Sequence, residues 1–168
     1  MPDSSPATVD GVDYHVLNTL LADGRASFRA VSDRVGVSAT TVSNRVRALE
    51  RRGVIEGFEP RLDYAALGYD TVAAFQLRVA GAARDRVRDR LVSYRTVTDA
   101  FEVASHFDLL AVARFRDTDA VGVCARELAA TEGVTELQTT IALDVARSRR
   151  QFRLPPDGLS RDVTPGRE

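Results

Sequence analysis

Residues 38–52, SATTVSNRVRALERR, concentrate side chains that bond nucleic acid. An arginine fork matches O6 and N7 of guanine, an asparagine amide matches N6 and N7 of adenine, and a serine or threonine reaches a phosphate or a thymine methyl. Ser38, Thr40, Thr41, Ser43, Asn44, Arg45, Arg47 and Arg51 are therefore the candidate DNA contacts. Taken singly, each is more often a solvated side chain. Together they form a pattern: four arginines against one glutamate make this segment positive inside a chain of formal net charge −1.

These residues need a helix to present them. Val42, Val46 and Leu49 recur at the spacing of one helical face, and Thr40, Asn44, Arg47 and Arg51 fall on the opposite face, with Ser43 and Arg45 on its flanks. Ser38 is placed as the N-cap and Gly53 ends the helix. A second helix precedes it, with Phe28, Val31 and Val35 on one face, Ser27 as cap and Gly36 as breaker. The few residues between the two are the length that a helix-turn-helix requires. Upstream, Val12, Val16, Leu17, Leu20 and Leu21 predict a supporting helix with Asp13 in its first turn, where the helix dipole favours an acid. His15 falls off that apolar stripe and is expected to face solvent.

Beyond Gly53, VIEGFEPRL alternates and contains a proline, which predicts an edge strand or a wing, and Asp63–Gly68 has the length of one helical turn. The second half repeats a pattern: strand 72–79, helix 83–94, strand 97–104, strand 109–115, helix 117–130 and strand 134–145. The order βαββαβ is that of a ferredoxin-like split βαβ domain. Two helices cover one face of such a sheet, so the other calls for a partner copy. If Leu77 points that way, a charge there would split the oligomer.

The expected organisation is α+β. A terminus over 1–9, rich in Pro and Ser, is expected to be disordered. A winged helix-turn-helix domain over 10–62 is joined by an extended linker, 63–70, to a ferredoxin-like domain over 71–147 for ligand binding and oligomerisation. A flexible, mildly basic tail follows over 148–168. The 168 residues accommodate two small domains, and the composition, 44% hydrophobic and 28% charged, is that of a globular protein. All 23 basic residues are Arg, and Asp outnumbers Glu by 16 to 8, a bias that suggests a GC-rich or salt-adapted source.

Several functions are disfavoured. No run is long enough to span a bilayer and no signal peptide opens the sequence, so a cytoplasmic protein without membrane contact is expected. The single cysteine, Cys124, lies at helical spacing from Val121 and Leu128 and reads as a packed residue; with only His15 and His106 there is no multi-ligand metal pattern. No phosphate loop and no nucleophile context appears, so no enzyme, cofactor or metal is expected.

The segments DGRASF (23–28), VGVSATTVSNRVRALERRGVIEGF (35–58), LDYAALGY (62–69) and GVTELQTTIAL (133–143) resemble the Lrp/AsnC family, the feast/famine transcriptional regulators of bacteria and archaea, over about residues 10–147. The resemblance implies a regulator that binds double-stranded DNA as a homodimer, with assembly to tetramers or octamers. It also implies an amino-acid effector bound near the loop between the second and third strands. In this chain the residues so implied are Ser105, His106, Phe107 and Asp108, with Thr139 and Thr140 on the last strand. Family members commonly have Gly where Ser105 stands; of that Gly-x-x-Asp pair only Asp108 is present, which puts effector binding in question. The competing reading is a small-molecule sensor or assembly module whose helix-turn-helix serves protein contact.

Overall fold

The computed structural model describes residues 9–146 and Leu154. The chain divides into two compact units, residues 1–61 with 149–168, and residues 62–148.

The first unit is three helices, α1 (Gly11–Ala22), α2 (Phe28–Val35) and α3 (Ala39–Arg51). Each begins on a side-chain cap. The Ser27 hydroxyl accepts the Ala30 N–H at 3.2 Å, and the Ser38 hydroxyl accepts the Thr41 N–H at 3.1 Å. At α1 the cap is reciprocal: Asp10 accepts the Asp13 N–H at 2.8 Å and Asp13 accepts the Asp10 N–H at 3.2 Å. Asp13 thus closes a capping box, which is more than the dipole contact its position suggested. Gly36 ends α2 at φ 79°, and a Cβ there would meet nothing within 4 Å, so the left-handed backbone, not space, is what demands glycine. Val16, Leu20, Val31, Val42 and Val46 form the core, with Val12, Ala26, Val35, Val37 and Ile55 packed around it. Full burial of a side chain such as Val16, Val31 or Val42 stabilises by about 1.5–3 kcal/mol. His15 is exposed and Leu21 reaches the surface at the rim of the stripe.

The edge strand or wing expected over residues 54–62 does not form. The N–H groups of Val54 and Ile55 turn back to the Leu49 carbonyl, at 2.9 and 3.3 Å, and Pro60 has no N–H to offer a ladder. Residues 64–68 form a hydrogen-bonded turn instead of a helix: Asp63 accepts the Ala66 N–H at 3.1 Å, Tyr69 N–H reaches the Tyr64 carbonyl at 2.8 Å, and Gly68 closes the turn at φ 77°.

The second unit runs β1 (Thr71–Val79), a 3-10 turn (Gly81–Ala83), α4 (Arg84–Val92), β2 (Val97–Glu102), β3 (Leu109–Phe115), α5 (Thr118–Ala129) and β4 (Val134–Ile141). The sheet order is β2-β3-β1-β4, and every pairing is antiparallel, as in a βαββαβ domain. Ala73, Phe75, Leu77 and Val79 of β1 and Leu109, Ala111, Ala113 and Phe115 of β3 pack against Val87, Leu91, Val121, Cys124 and Leu128 of the helices. Phe75 and Phe115 meet edge to face at 6.0 Å. Cys124 is buried, and burial pushes its thiol pKa up.

Leu77 belongs to this core at 0% exposure, so it faces the helices and not a partner. The parity was hard to read because β1 carries apolar residues on both faces, Val72 and Ala74 as well as Ala73 and Phe75. Alternation and register place Ala74, Gln76 and Arg78, Leu110, Val112 and Arg114, Asp99 and Phe101, and Glu136, Gln138 and Thr140 on the opposite face. Neither helix of this unit covers that face.

Four elements are shorter than their periodicity predicts, α5 by only one residue at each end. β4 ends at Ile141, after which Ala142 N–H makes a last bond to the Val72 carbonyl at 2.9 Å, and Leu143 is fully exposed. β2 ends at Glu102, and α4 at Val92, although Tyr94 still packs on the core. Residues 1–8, most of the expected disordered terminus, and most of the expected tail lie outside the described residues. Within that tail, Leu154 exchanges two hydrogen bonds with the Asn18 amide on α1, at 2.9 and 2.8 Å.

Candidate nucleic-acid interface

The candidate recognition surface is the part of α3 that its core contacts leave over. With Val42 and Leu49 at 0% exposure and Val46 at 2%, one face of the helix is committed inward. Thr40, Asn44, Arg47 and Arg51 are all exposed on the other. The four side chains ascend one stripe, in the order a helix entering a major groove would present them.

The remaining candidates divide. The Ser38 hydroxyl is taken up by the Thr41 N–H, and the two hydroxyls lie 2.8 Å apart, so both residues serve the start of the helix. Ser43 is half-buried. Arg45 departs most from expectation. Its Nη1 lies 2.6 Å from Asp10 Oδ2 and 2.8 Å from Asp13 Oδ1, so its charge is spent on α1 rather than held out on the flank of the stripe. The two carboxylate bonds push the Arg45 pKa further up. The Asp13 N–H, and then Arg45, hold the Asp10 carboxyl below its ordinary value. Asp10 and Asp13 are partners that the helical wheel does not reveal, since they stand more than thirty residues away in sequence.

Arg47 also lines an open groove of about 330 Å³, shared with Glu50 of its own helix and with Leu20, Phe28 and Phe58. Phe28 and Phe58 are 41% and 52% exposed, which leaves an apolar margin beside the polar stripe.

In the second unit, Ser105–Asp108 form the loop into β3. Asp108 is held on every side: Oδ2 accepts the Val79 N–H at 2.9 Å, Oδ1 accepts from Arg84 at 2.8 Å, its own N–H reaches the Leu77 carbonyl and its carbonyl accepts from Val103. The Val79 N–H, more than Arg84, lowers its pKa. Phe107 is buried, and the Ser105 hydroxyl turns back on the Phe107 backbone. His106 stays exposed, stands edge-on to Phe107, and bonds Glu136 of β4 through Nε2 at 2.9 Å. The β4 side chain bonded to the loop is thus Glu136. Thr139 and Thr140 lie further along β4, opposite Phe75 and Ala74 and so on opposite faces of the sheet. The loop residues come together, therefore, and the two threonines do not join them as a pair. Arg84 and Glu136 carry no local motif that would have singled them out.

A separate cleft of about 210 Å³ lies between the 64–69 turn and the sheet, lined by Tyr64, Leu67, Tyr69, Arg95, Thr96, Thr98 and Arg114. Arg114 stacks on Tyr64 and Arg116 on Tyr69, at 5.1 and 4.8 Å, so cation–π contacts fasten the turn to β3 and its end. Among the described residues no helix is long and apolar enough to cross a membrane, and no cluster of three or more acidic, His or Cys side chains is arranged for a metal.

Comparison with known proteins covers both units. Residues 9–56 match a family model described as winged helix-turn-helix DNA-binding, and residues 72–152 match one described as the Lrp/AsnC ligand binding domain. The leucine-responsive regulatory protein of Rhizobium meliloti is 32% identical over 155 residues, 87% of this chain and 96% of that protein. A helix-turn-helix transcriptional regulator of Pyrococcus furiosus is 28% identical over 148 residues, 88% of this chain and 99% of the relative. Among solved structures, the feast or famine regulatory protein of M. tuberculosis complexed with L-methionine superposes with a TM-score of 0.79 at 28% identity, covering 87% of this chain and 99% of that one.

Proposed function

The chain belongs to the Lrp/AsnC family of helix-turn-helix transcriptional regulators, and from that premise we propose that α3 enters the major groove with Thr40, Asn44, Arg47 and Arg51 toward the DNA. The observation that carries this is the complementarity of the helix. Its apolar face is buried without remainder, and its exposed face is a continuous stripe of groove-reading side chains. Asn44 and Arg47 lie near the middle of the helix and are assigned to base edges; Arg51 lies in the last turn and is assigned to the phosphate backbone. Ser38 and Thr41 shape the helix start, and Arg45 is withheld.

The regulator acts as a two-fold dimer. The uncovered face of the sheet supports this, because Val112, Leu110, Ala74 and Phe101 place apolar area there beside polar Gln76 and Gln138. In the same unit the exposed Leu62 and Leu67 add further apolar area. Two copies of α3 then address half-sites about one helical turn apart, or a multiple of it.

The effector is an amino acid, bound in the second unit. The support is the ligand-binding family model and the L-methionine found with the M. tuberculosis relative. In this chain Asp108 is saturated by Val79 and Arg84, so its part is to hold the loop in shape. His106 and Glu136, bonded to each other, are exposed polar groups at that edge. Selection of bound duplexes from random DNA, with and without a pool of amino acids, tests the whole reading. A recovered palindromic site whose occupancy changes with the pool supports it, and recovery of no preferred sequence contradicts it.

A further inference from the structure

Arg45 sits on the recognition helix and is bonded to the first helix. One terminal nitrogen bridges Asp10 and Asp13, at 2.6 and 2.8 Å, and those two residues are themselves tied by the reciprocal bonds of the capping box. The Asp13 side chain is 9% exposed, against 31% for Arg45 and 54% for Asp10. A carboxylate so far from water needs a cationic or hydrogen-bonding partner, and Arg45 supplies it.

The apolar contact beside this bridge brings α1 and α3 together through Val16, Leu20, Val42 and Val46. The hydrophobic drive behind this contact is non-directional. A bridged, charge-assisted pair of hydrogen bonds is directional. Arg45 is the residue after Asn44 and two before Arg47, so any roll of α3 at Arg45 displaces both side chains assigned to base edges.

We propose that Arg45 is a positioning residue: its bridge to Asp10 and Asp13 sets the roll at which Asn44 and Arg47 meet the bases, and Arg45 makes no phosphate contact of its own. The inference rests on α3 being the groove helix, and it adds that the start of α1 belongs to the specificity apparatus although it reads no base.

The two roles of an arginine predict different effects on specificity for loss of its acid. If Arg45 contacted phosphate, replacing Asp13 by Asn would remove a repulsive charge and free a cation, tightening binding to all DNA and steepening the salt dependence. If Arg45 positions α3, the same change lowers the ratio of preferred-site to non-specific affinity, whatever the lost charge does to both. The experiment measures affinity over a salt series for the duplex that the wild-type protein selects from random DNA and for a scrambled duplex of equal length. It uses wild type, Arg45→Gln, Asp13→Asn and Asp10→Asn, each checked for folding by circular dichroism. The proposal predicts that the ratio of selected to scrambled affinity falls about tenfold in Arg45→Gln and Asp13→Asn, with the salt slope on the scrambled duplex unchanged in Arg45→Gln. Asp10, half exposed and sharing the bridge, should give a smaller loss of the same sign, and it carries the comparison if Asp13→Asn fails to fold. An unchanged ratio of selected to scrambled affinity in Arg45→Gln or in either acid variant overturns the proposal, as does a salt slope lowered by about one in Arg45→Gln. Wild type that shows no preference for its selected duplex would instead overturn the reading of α3, and the proposal with it.

Discussion

At the end of β1 the Asp108 carboxylate stands in for a strand partner, accepting the Val79 N–H at 2.9 Å where the pairing of β1 with β4 shifts register between Arg78 and Val79. The same side chain holds Arg84 at the start of α4, so one residue ties the loop before β3 to a strand and a helix. Asp108→Ala should lower the thermal midpoint, and Asp108→Asn, which keeps an acceptor oxygen and loses the charge, should lower it less. DNA affinity of the folded protein should be unaffected. An unchanged midpoint in the alanine variant would show that the loop is held by its backbone bonds alone.

Two carboxylates, Asp10 and Asp108, have pKa values held below the ordinary range, in each case chiefly by a backbone N–H and then by an arginine. A depressed folded-state value means that the unfolded chain binds the proton more readily. The contribution to stability is therefore present above the ordinary carboxyl value near pH 4 and is lost as pH falls through the lower folded values. Thermal midpoints followed downward from about pH 5 should fall, and the fall should be shallower in Asp108→Asn. Equal slopes in the two proteins would remove Asp108 from the account of acid sensitivity.

The two faces of the sheet should respond differently to substitution. Leu77, fully buried among the helices, should cost about 2–5 kcal/mol of stability as Leu77→Ala. Phe101, 52% exposed on the opposite face, should tolerate Phe101→Asp without loss of the fold while the oligomer dissociates. Circular dichroism together with light scattering separates the two effects. A Phe101→Asp protein that keeps the wild-type mass would place the dimer contact elsewhere.

An amino-acid effector should be detectable by calorimetry on the wild-type protein, and Glu136→Gln should alter the affinity if the His106–Glu136 edge lines the site. Absence of heat with every common amino acid, at concentrations well above micromolar, would describe a regulator that works without one.

The helix-turn-helix was legible because its signals are local. Stripes at i, i+4 and i+7, serine caps and the left-handed Gly36 each concern a few neighbouring residues. The strand and helix order of the second unit was legible for the same reason. What escaped depends on distant partners. A helical wheel gives the azimuth of a Cα atom, but a long arginine can bend back to a carboxylate on another helix, as Arg45 does. The saturation of Asp108 by Val79 and Arg84, and the pairing of His106 with Glu136, join residues from separate elements. The absence of a strand over residues 54–62 follows likewise, since an extended segment becomes a strand only beside a partner.

The placement of α3 is tested most directly by comparing Arg47→Ala and Arg51→Ala with wild type, in footprints on the selected operator over a salt series. Arg47→Ala should cost about 1–3 kcal/mol on the preferred site and relax preference at one base pair in each half-site. Arg51→Ala should weaken specific and non-specific DNA alike and lower the salt slope by about one. Unaltered base preference in Arg47→Ala would contradict the placement of this helix in the groove.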